Sequence, residues 1–178
     1  MERIFGRPII TQEEMRKRIR ELGIRIAEDY KDRNLILVGV LKGAFAFFAD
    51  LARAIPLPLR VDFIVVKSYG SRSKSSGRVK IVSDLSEEIK GQHVLLVEDI
   101  VDSGLTIDFL KKKIMTKKPA SLHFCTLLDK PERRKSDVAL DYVGFTIPNK
   151  YVVGYGLDYQ NKYRNLPYIA VLDNVDEE

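Results

Sequence analysis

Residues 94–107 read VLLVEDIVDSGLTI, with two acids, Glu98 and Asp99, directly after four aliphatic residues. A third acid, Asp102, follows three positions later and opens the run Ser103-Gly104-Leu105-Thr106. Backbone N–H groups at the start of a helix lack partners and point outward, so a strand running into such a turn makes a ready phosphate site. Gly104 lets the backbone come close, and Ser103 and Thr106 add hydroxyl donors. A phosphate alone does not explain the carboxylates beside it, which would repel it. A sugar phosphate does. Carboxylates accept from the vicinal hydroxyls of a ribose while the turn holds its 5′-phosphate, and the same acids can stabilise positive charge developing at the anomeric carbon.

Other readings of the stretch compete. Adjacent acids after a strand can simply cap a helix. VLLVED also resembles the opening of a receiver domain, but there the acids begin the domain and here they lie mid-chain. A P-loop is excluded because no G-x-x-x-x-G-K-[ST] occurs.

The elements that must position these residues are legible around them. Thr11-Gln12-Glu13-Glu14 is a capping box, and Met15, Ile19, Leu22 and Ile26 then recur at helical spacing, which predicts a helix over 12–30. LILVGVL, 35–41, is the continuous aliphatic run of a strand buried on both faces. It ends at Lys42-Gly43 and leads into AFAFFADLARAI, a helix that stops before Pro56. Residues 60–67, 93–98 and 121–128 read as further strands, and 104–116 as a helix. Strands alternating with helices predict βαβ units, a mostly parallel sheet, and a ligand crevice at the carboxyl ends of the strands. SYGSRSKSSGRV, 68–79, has five Ser and two Gly and cannot bury a core. It is either a disordered connection or a mobile active-site flap, and the flap is the favoured reading.

Bulk properties set the frame. The chain has 178 residues, 45% hydrophobic and 31% charged, the composition of an ordinary globular protein. It reads as one domain, without repeats or a second composition regime. No apolar run reaches the ~20 residues of a membrane span, and the opening MERIFGRPII lacks the apolar region of an export signal. One cysteine, Cys125, fits a reducing cytoplasm and excludes an intrachain disulfide framework. Two histidines thirty residues apart give no zinc-type cluster. The net charge of +5 is spread in small groups, Lys111–Lys113, Lys117 with Lys118, and Arg133 with Arg134. These read as solvated surface, although a basic balance also suits an enzyme of polyanionic substrates. No nucleic-acid-binding motif accompanies them, so neither nucleic acid nor membrane is an expected partner.

Val94 to Ile107 resembles the phosphoribosyl-diphosphate signature of the type I phosphoribosyltransferases. VGVLKGAFAFFADLARAI, KSYGSRSKSSGRVKIVSDL, LLDKPERR and IPNKYVVGYGLDYQNKYRNLPYIAVL narrow the resemblance to the hypoxanthine-guanine branch in its short bacterial form, in order from about residue 4 to 172. The resemblance implies an α/β fold: a central, mostly parallel sheet flanked by helices, with a small hood built from about 1–12 and 150–172. It implies transfer of ribose 5-phosphate from phosphoribosyl diphosphate to hypoxanthine or guanine, giving IMP or GMP, with Mg²⁺ as cofactor. It further implies a cytoplasmic homodimer or homotetramer.

The site residues follow from the same likeness. Glu98 and Asp99 would hold the ribose hydroxyls and, with Asp158, the metal. Asp102 would be the general acid/base near purine N7, and Ser103, Gly104, Leu105 and Thr106 would wrap the 5′-phosphate. Leu41, Lys42 and Gly43 would form the diphosphate loop, where the family has a cis non-proline bond, and Arg164 would bind diphosphate. Lys130 would donate to purine O6, Tyr151 would stack on the base, and Val152 would present its backbone to it. Ser68 and Tyr69 would close with the flap. Two departures, Lys67 and Gly156, touch none of these roles, and 173–178 reads as a frayed acidic tail. Preference among hypoxanthine, guanine and xanthine is left open by the sequence. So is a regulatory protein of the same fold that binds nucleotide and RNA without turnover.

Overall fold

Thr11 starts the first helix through a reciprocal cap. The Glu14 N–H donates to Thr11 Oγ1 (3.3 Å), and the Thr11 N–H donates to Glu14 Oε2 (2.7 Å). The computed structural model describes residues 5–71 and 74–172, with side chains for 8–67 and 79–172. In chain order the elements are β1 (Phe5–Ile10), α1 (Gln12–Asp29), β2 (Leu35–Leu41), α2 (Phe45–Ala54), β3 (Arg60–Ser71) and β4 (Lys74–Ser83). Then come β5 (His93–Val101), α3 (Leu105–Met115), β6 (Ser121–Asp129), β7 (Tyr142–Thr146), β8 (Val152–Val153) and β9 (Ile169–Leu172).

Six strands form the main sheet in the order β4-β3-β2-β5-β6-β7, all parallel to their neighbours except the antiparallel edge strand β4. Alternate residues of β2 explain why its sequence is apolar throughout. Leu35 and Leu37 face one core with Met15, Ile19 and Leu22 of α1 and Phe47 and Leu51 of α2. Ile36, Val38 and Val40 face a second core with Ile107, Leu110 and Ile114 of α3. A separate antiparallel sheet, β1-β9-β8, joins the two ends of the chain into the expected hood. No helix among the described residues is long and apolar enough to cross a membrane.

Two expectations change. β5 does not stop at residue 98, because Ile100 and Val101 keep pairing with Leu128 and Asp129 of β6. The Ser-rich segment carries strand: β3 continues to Ser71 and β4 begins at Lys74, pairing Ser68 with Val79 and Tyr69 with Arg78. An edge strand needs backbone partners on one side only, and its apolar alternation is confined to Val79 and Ile81, the latter packed against the second core. The side chains of Ser68 and Tyr69, and residues 173–178, lie outside the described ones.

At the start of β5 and β6 both histidines of the chain surround one buried tyrosine. Tyr30 meets His93 and His123 edge-on, with centroids 6.4 and 6.0 Å away, and its hydroxyl bonds to His123 Nδ1 at 2.8 Å.

The connection from β4 to β5 is tied down by Asp62 of β3. This buried carboxylate accepts from the N–H groups of Phe63 (2.8 Å), Ser86 (2.9 Å) and Glu87 (2.8 Å) and from the Ser86 hydroxyl (2.9 Å). Burial works to raise its pKa, but those four hydrogen bonds outweigh it and hold it below the ordinary value. A depressed folded-state pKa contributes stability above the unfolded value and loses it as pH falls through the folded one. Asp62→Asn should therefore cost on the order of 1–3 kcal/mol at pH 7. Denaturant melts should show the wild-type advantage shrinking as the pH drops below the usual carboxylate range. A constant difference across that range would remove the charge from the explanation.

Candidate active site

The carboxyl ends of β2 and β5 enclose a cavity of about 190 Å³ between Leu41–Gly43 and the segment from Glu98 to Gly104. Its most unusual occupants are two neighbouring acids, Glu98 buried and Asp99 half-buried. Glu98 is only 7% exposed, and burial followed by the charge of Asp99 pushes its pKa well above the ordinary range. Burial also pushes Asp99 up, partly offset by hydrogen bonds to its charged form and by Arg164. Two carboxylates this close favour holding one proton between them. Glu98 Oε1 accepts the Asp99 N–H (3.2 Å) and Asp99 Oδ1 accepts the Ile100 N–H (2.8 Å), which orients the pair along the strand end.

Two glycines let backbone reach these acids. A Cβ on Gly43 would overlap Asp99 Oδ2, so the loop after β2 can close on Asp99 only with glycine there. Gly156, at φ 104°, in turn lies against the Gly43 carbonyl, where a Cβ would overlap the oxygen. Arg164 fixes that second loop, donating to Gly156 O (2.6 Å) and pairing with Asp158 (2.5 Å). Gly156 therefore has a role that its sequence context did not reveal. It seats the diphosphate-loop candidate, whose Leu41–Lys42 peptide is cis as the resemblance implied.

Behind Asp99 the chain turns into α3. Gly104 (φ 81°) caps it, and the first helical bond runs from Asp108 N–H to Gly104 O (3.0 Å). The N–H groups of Leu105, Thr106 and Ile107 therefore have no partner within the helix, and that of Leu105 reaches Ser103 Oγ at 3.5 Å. Asp102 sits at the lip with Oδ1 buried and 3.2 Å from Arg133 Nε, although the N–H is not aligned for a hydrogen bond.

The phosphoribosyl transferase domain family matches residues 9–160 of this chain. A hypoxanthine-guanine phosphoribosyltransferase of Mycobacterium avium is 52% identical over 171 residues, covering 93% of this chain and 84% of the relative. The Bacillus subtilis protein of the same name is 46% identical, covering 97% and 96%. The chain belongs to the hypoxanthine-guanine phosphoribosyltransferases. A solved structure of the Trypanosoma cruzi hypoxanthine phosphoribosyltransferase, in complex with the product IMP, matches it with a TM-score of 0.90. That match has 45% identity and covers 98% of this chain and 97% of that one.

The remaining expected site residues of this phosphoribosyltransferase lie beside the cavity rather than in its wall. Lys130 is buried at the end of β6, and its N–H donates to Val101 O (2.9 Å), which brings it next to Asp102 in space. Tyr151 is 42% exposed, unlike a core aromatic, with its hydroxyl donating to Asp158 O (3.2 Å) and its ring edge-on to Tyr159. The Val152 side chain is buried in β8. Asp158 is already engaged, by Arg164 and by the Asn161 N–H (2.7 Å).

A hard cation fits this donor set, since the acids offer only oxygen. Among the described residues no three such ligands stand together. The basic pair Arg133 and Arg134 is not plain solvated surface. Arg134 pairs with Asp129, and Arg133 with Asp102. No sequence signal pointed there beyond their nearness to Lys130.

Gly43→Ala should lower kcat/KM by roughly 10²-fold or more, because an added methyl must displace either the loop or Asp99. Steady-state kinetics beside a thermal melt would separate a displaced site from a failed fold. Near-normal activity would mean the loop and Asp99 move apart at little cost.

Proposed function

We propose that this phosphoribosyltransferase transfers ribose 5-phosphate from phosphoribosyl diphosphate to N9 of hypoxanthine and guanine, releasing diphosphate and giving IMP and GMP. The observation that carries the reading is the Glu98–Asp99 pair, Glu98 buried and Asp99 half-buried, set directly before the turn into α3 and near a buried lysine. Glu98 and Asp99 accept from the ribose hydroxyls, a contact that relieves their mutual repulsion. The amides of Leu105 and Thr106, with Ser103 and Gly104, hold the 5′-phosphate. Leu41, Lys42, Gly43 and Arg164 hold the diphosphate, Arg164 exchanging Asp158 for the anion. Lys130 donates to O6, Tyr151 stacks on the ring, and Val152 offers its backbone to the purine edge.

In the reaction the C1′–O bond breaks and diphosphate leaves with the electron pair. N9 bonds to C1′, and the N7 proton passes to Asp102. The developing charge at C1′ sits over the two acids, where preorganised negative charge is worth most. Glu98, Asp99 and Asp158 would hold Mg²⁺, which would supply positive charge against the leaving diphosphate. Ser68 and Tyr69 close over the centre and exclude water from the cation. We place the enzyme in the cytoplasm as a homodimer or homotetramer; exposed Phe45, Val61 and Phe63 offer apolar surface for self-association.

An absorbance assay with phosphoribosyl diphosphate and Mg²⁺ should give nucleotide from hypoxanthine and guanine, with adenine inert. Nucleotide binding without turnover of any base would favour a regulatory protein instead. Asp102→Asn should lower kcat by about 10²–10⁴-fold while leaving phosphoribosyl diphosphate affinity nearly intact. Lys130→Ala should raise KM for the base more than for the diphosphate substrate, and equal effects would remove the O6 contact.

A further inference from the structure

The loop after β6 grips the backbone on both sides of Asp102. Ahead of it, the Lys130 N–H donates to Val101 O (2.9 Å). Behind it, the N–H groups of Lys135 (2.9 Å) and Ser136 (3.3 Å) and the Ser136 hydroxyl (3.4 Å) all converge on Ser103 O. Between these anchors a short 3₁₀ turn, Pro131–Arg133, is closed by the Arg133 N–H to Lys130 O at 3.3 Å. Arg134 is pinned at the base of the loop to Asp129, at the end of β6. With residues 130, 134, 135 and 136 all fixed, Arg133 is delivered opposite Asp102 by backbone geometry rather than by a chance surface encounter.

The contact itself is asymmetric. Arg133 Nε stands 3.2 Å from Asp102 Oδ1, and that oxygen is buried without a hydrogen bond. The Asp102 side chain as a whole is 39% exposed, so its openness falls on the rest of the carboxylate, at the cavity whose wall it forms. An ion pair this open to water adds little to stability. Its effect is on direction. A buried acceptor with no hydrogen bond would turn toward water unless a charge held it in place.

We propose that Arg133 is a positioning residue for Asp102, its charge holding Oδ1 turned into the loop so that Oδ2 faces the bound base. This rests on Asp102 being the group that takes the purine proton. The same loop carries Lys130, so base recognition and proton acceptance are set by one rigid piece.

The test is a double-mutant cycle on the full-length enzyme with hypoxanthine, phosphoribosyl diphosphate and Mg²⁺. Arg133→Ala should lower kcat about tenfold with KM for phosphoribosyl diphosphate unchanged. Arg133→Lys, which keeps the charge, should recover to within about threefold of wild type. In an Asp102→Asn background, Arg133→Ala should have almost no further effect, because coupled residues do not add. The proposal is overturned if Arg133→Ala keeps wild-type kcat, if Arg133→Lys is as slow as Arg133→Ala, or if Arg133→Ala is equally harmful in both backgrounds. Those outcomes leave the role of Asp102 standing. Full activity in Asp102→Asn alone would instead remove the reading on which the proposal rests.

Discussion

Two adjacent carboxylates, Glu98 buried and Asp99 half-buried, are the constraint around which this molecule is arranged. Neither Glu98 nor Asp99 makes an ion pair among the described residues, and burial raises the pKa of both. Such a pair is costly to keep in an empty site and becomes favourable when donors or cations arrive. A ribose with its two vicinal hydroxyls is such a donor. The unfavourable resting arrangement thus favours the ligand, and more strongly still a ligand whose sugar becomes cationic as it reacts.

Holding the pair in place takes most of the fold. β5 carries both acids and is central in the sheet, covered on one face by α1 and α2 and on the other by α3. From the side, the loop after β2 closes on Asp99 through Gly43, and the hood loop closes on Gly43 through Gly156. Arg164 then locks the hood loop to Asp158. The hood is therefore coupled to the main sheet by a stack of backbone contacts that end at the Asp99 carboxylate.

Much of this was legible in the sequence, and the failures are instructive. The parallel core strands and their flanking helices were readable because burial on both faces forces uninterrupted aliphatic runs such as LILVGVL. The acidic turn was readable because its chemistry needs those residue types in that order. β4 was not, since Lys74–Arg78 is polar throughout and the apolar alternation of Val79 and Ile81 is too short to read as a strand. The roles of Gly156 and Arg133 were equally hidden. Each acts through a contact with a residue distant in sequence, Gly43 in one case and Asp102 in the other, and only the fold creates those neighbours. The cis Leu41–Lys42 peptide likewise has no local signature and came from the family resemblance alone.

The cluster around Tyr30 has a consequence for the chemistry at the opposite end of the sheet. Imidazole is the side chain that most often exchanges protons near neutrality, and this chain has two. Both are committed to the starting ends of β5 and β6, flanking one tyrosine ring. Six residues of extended strand, about 20 Å, separate His93 from Asp99. Neither imidazole lines the crevice, and the acids that do are carboxylates, Glu98, Asp99 and Asp102.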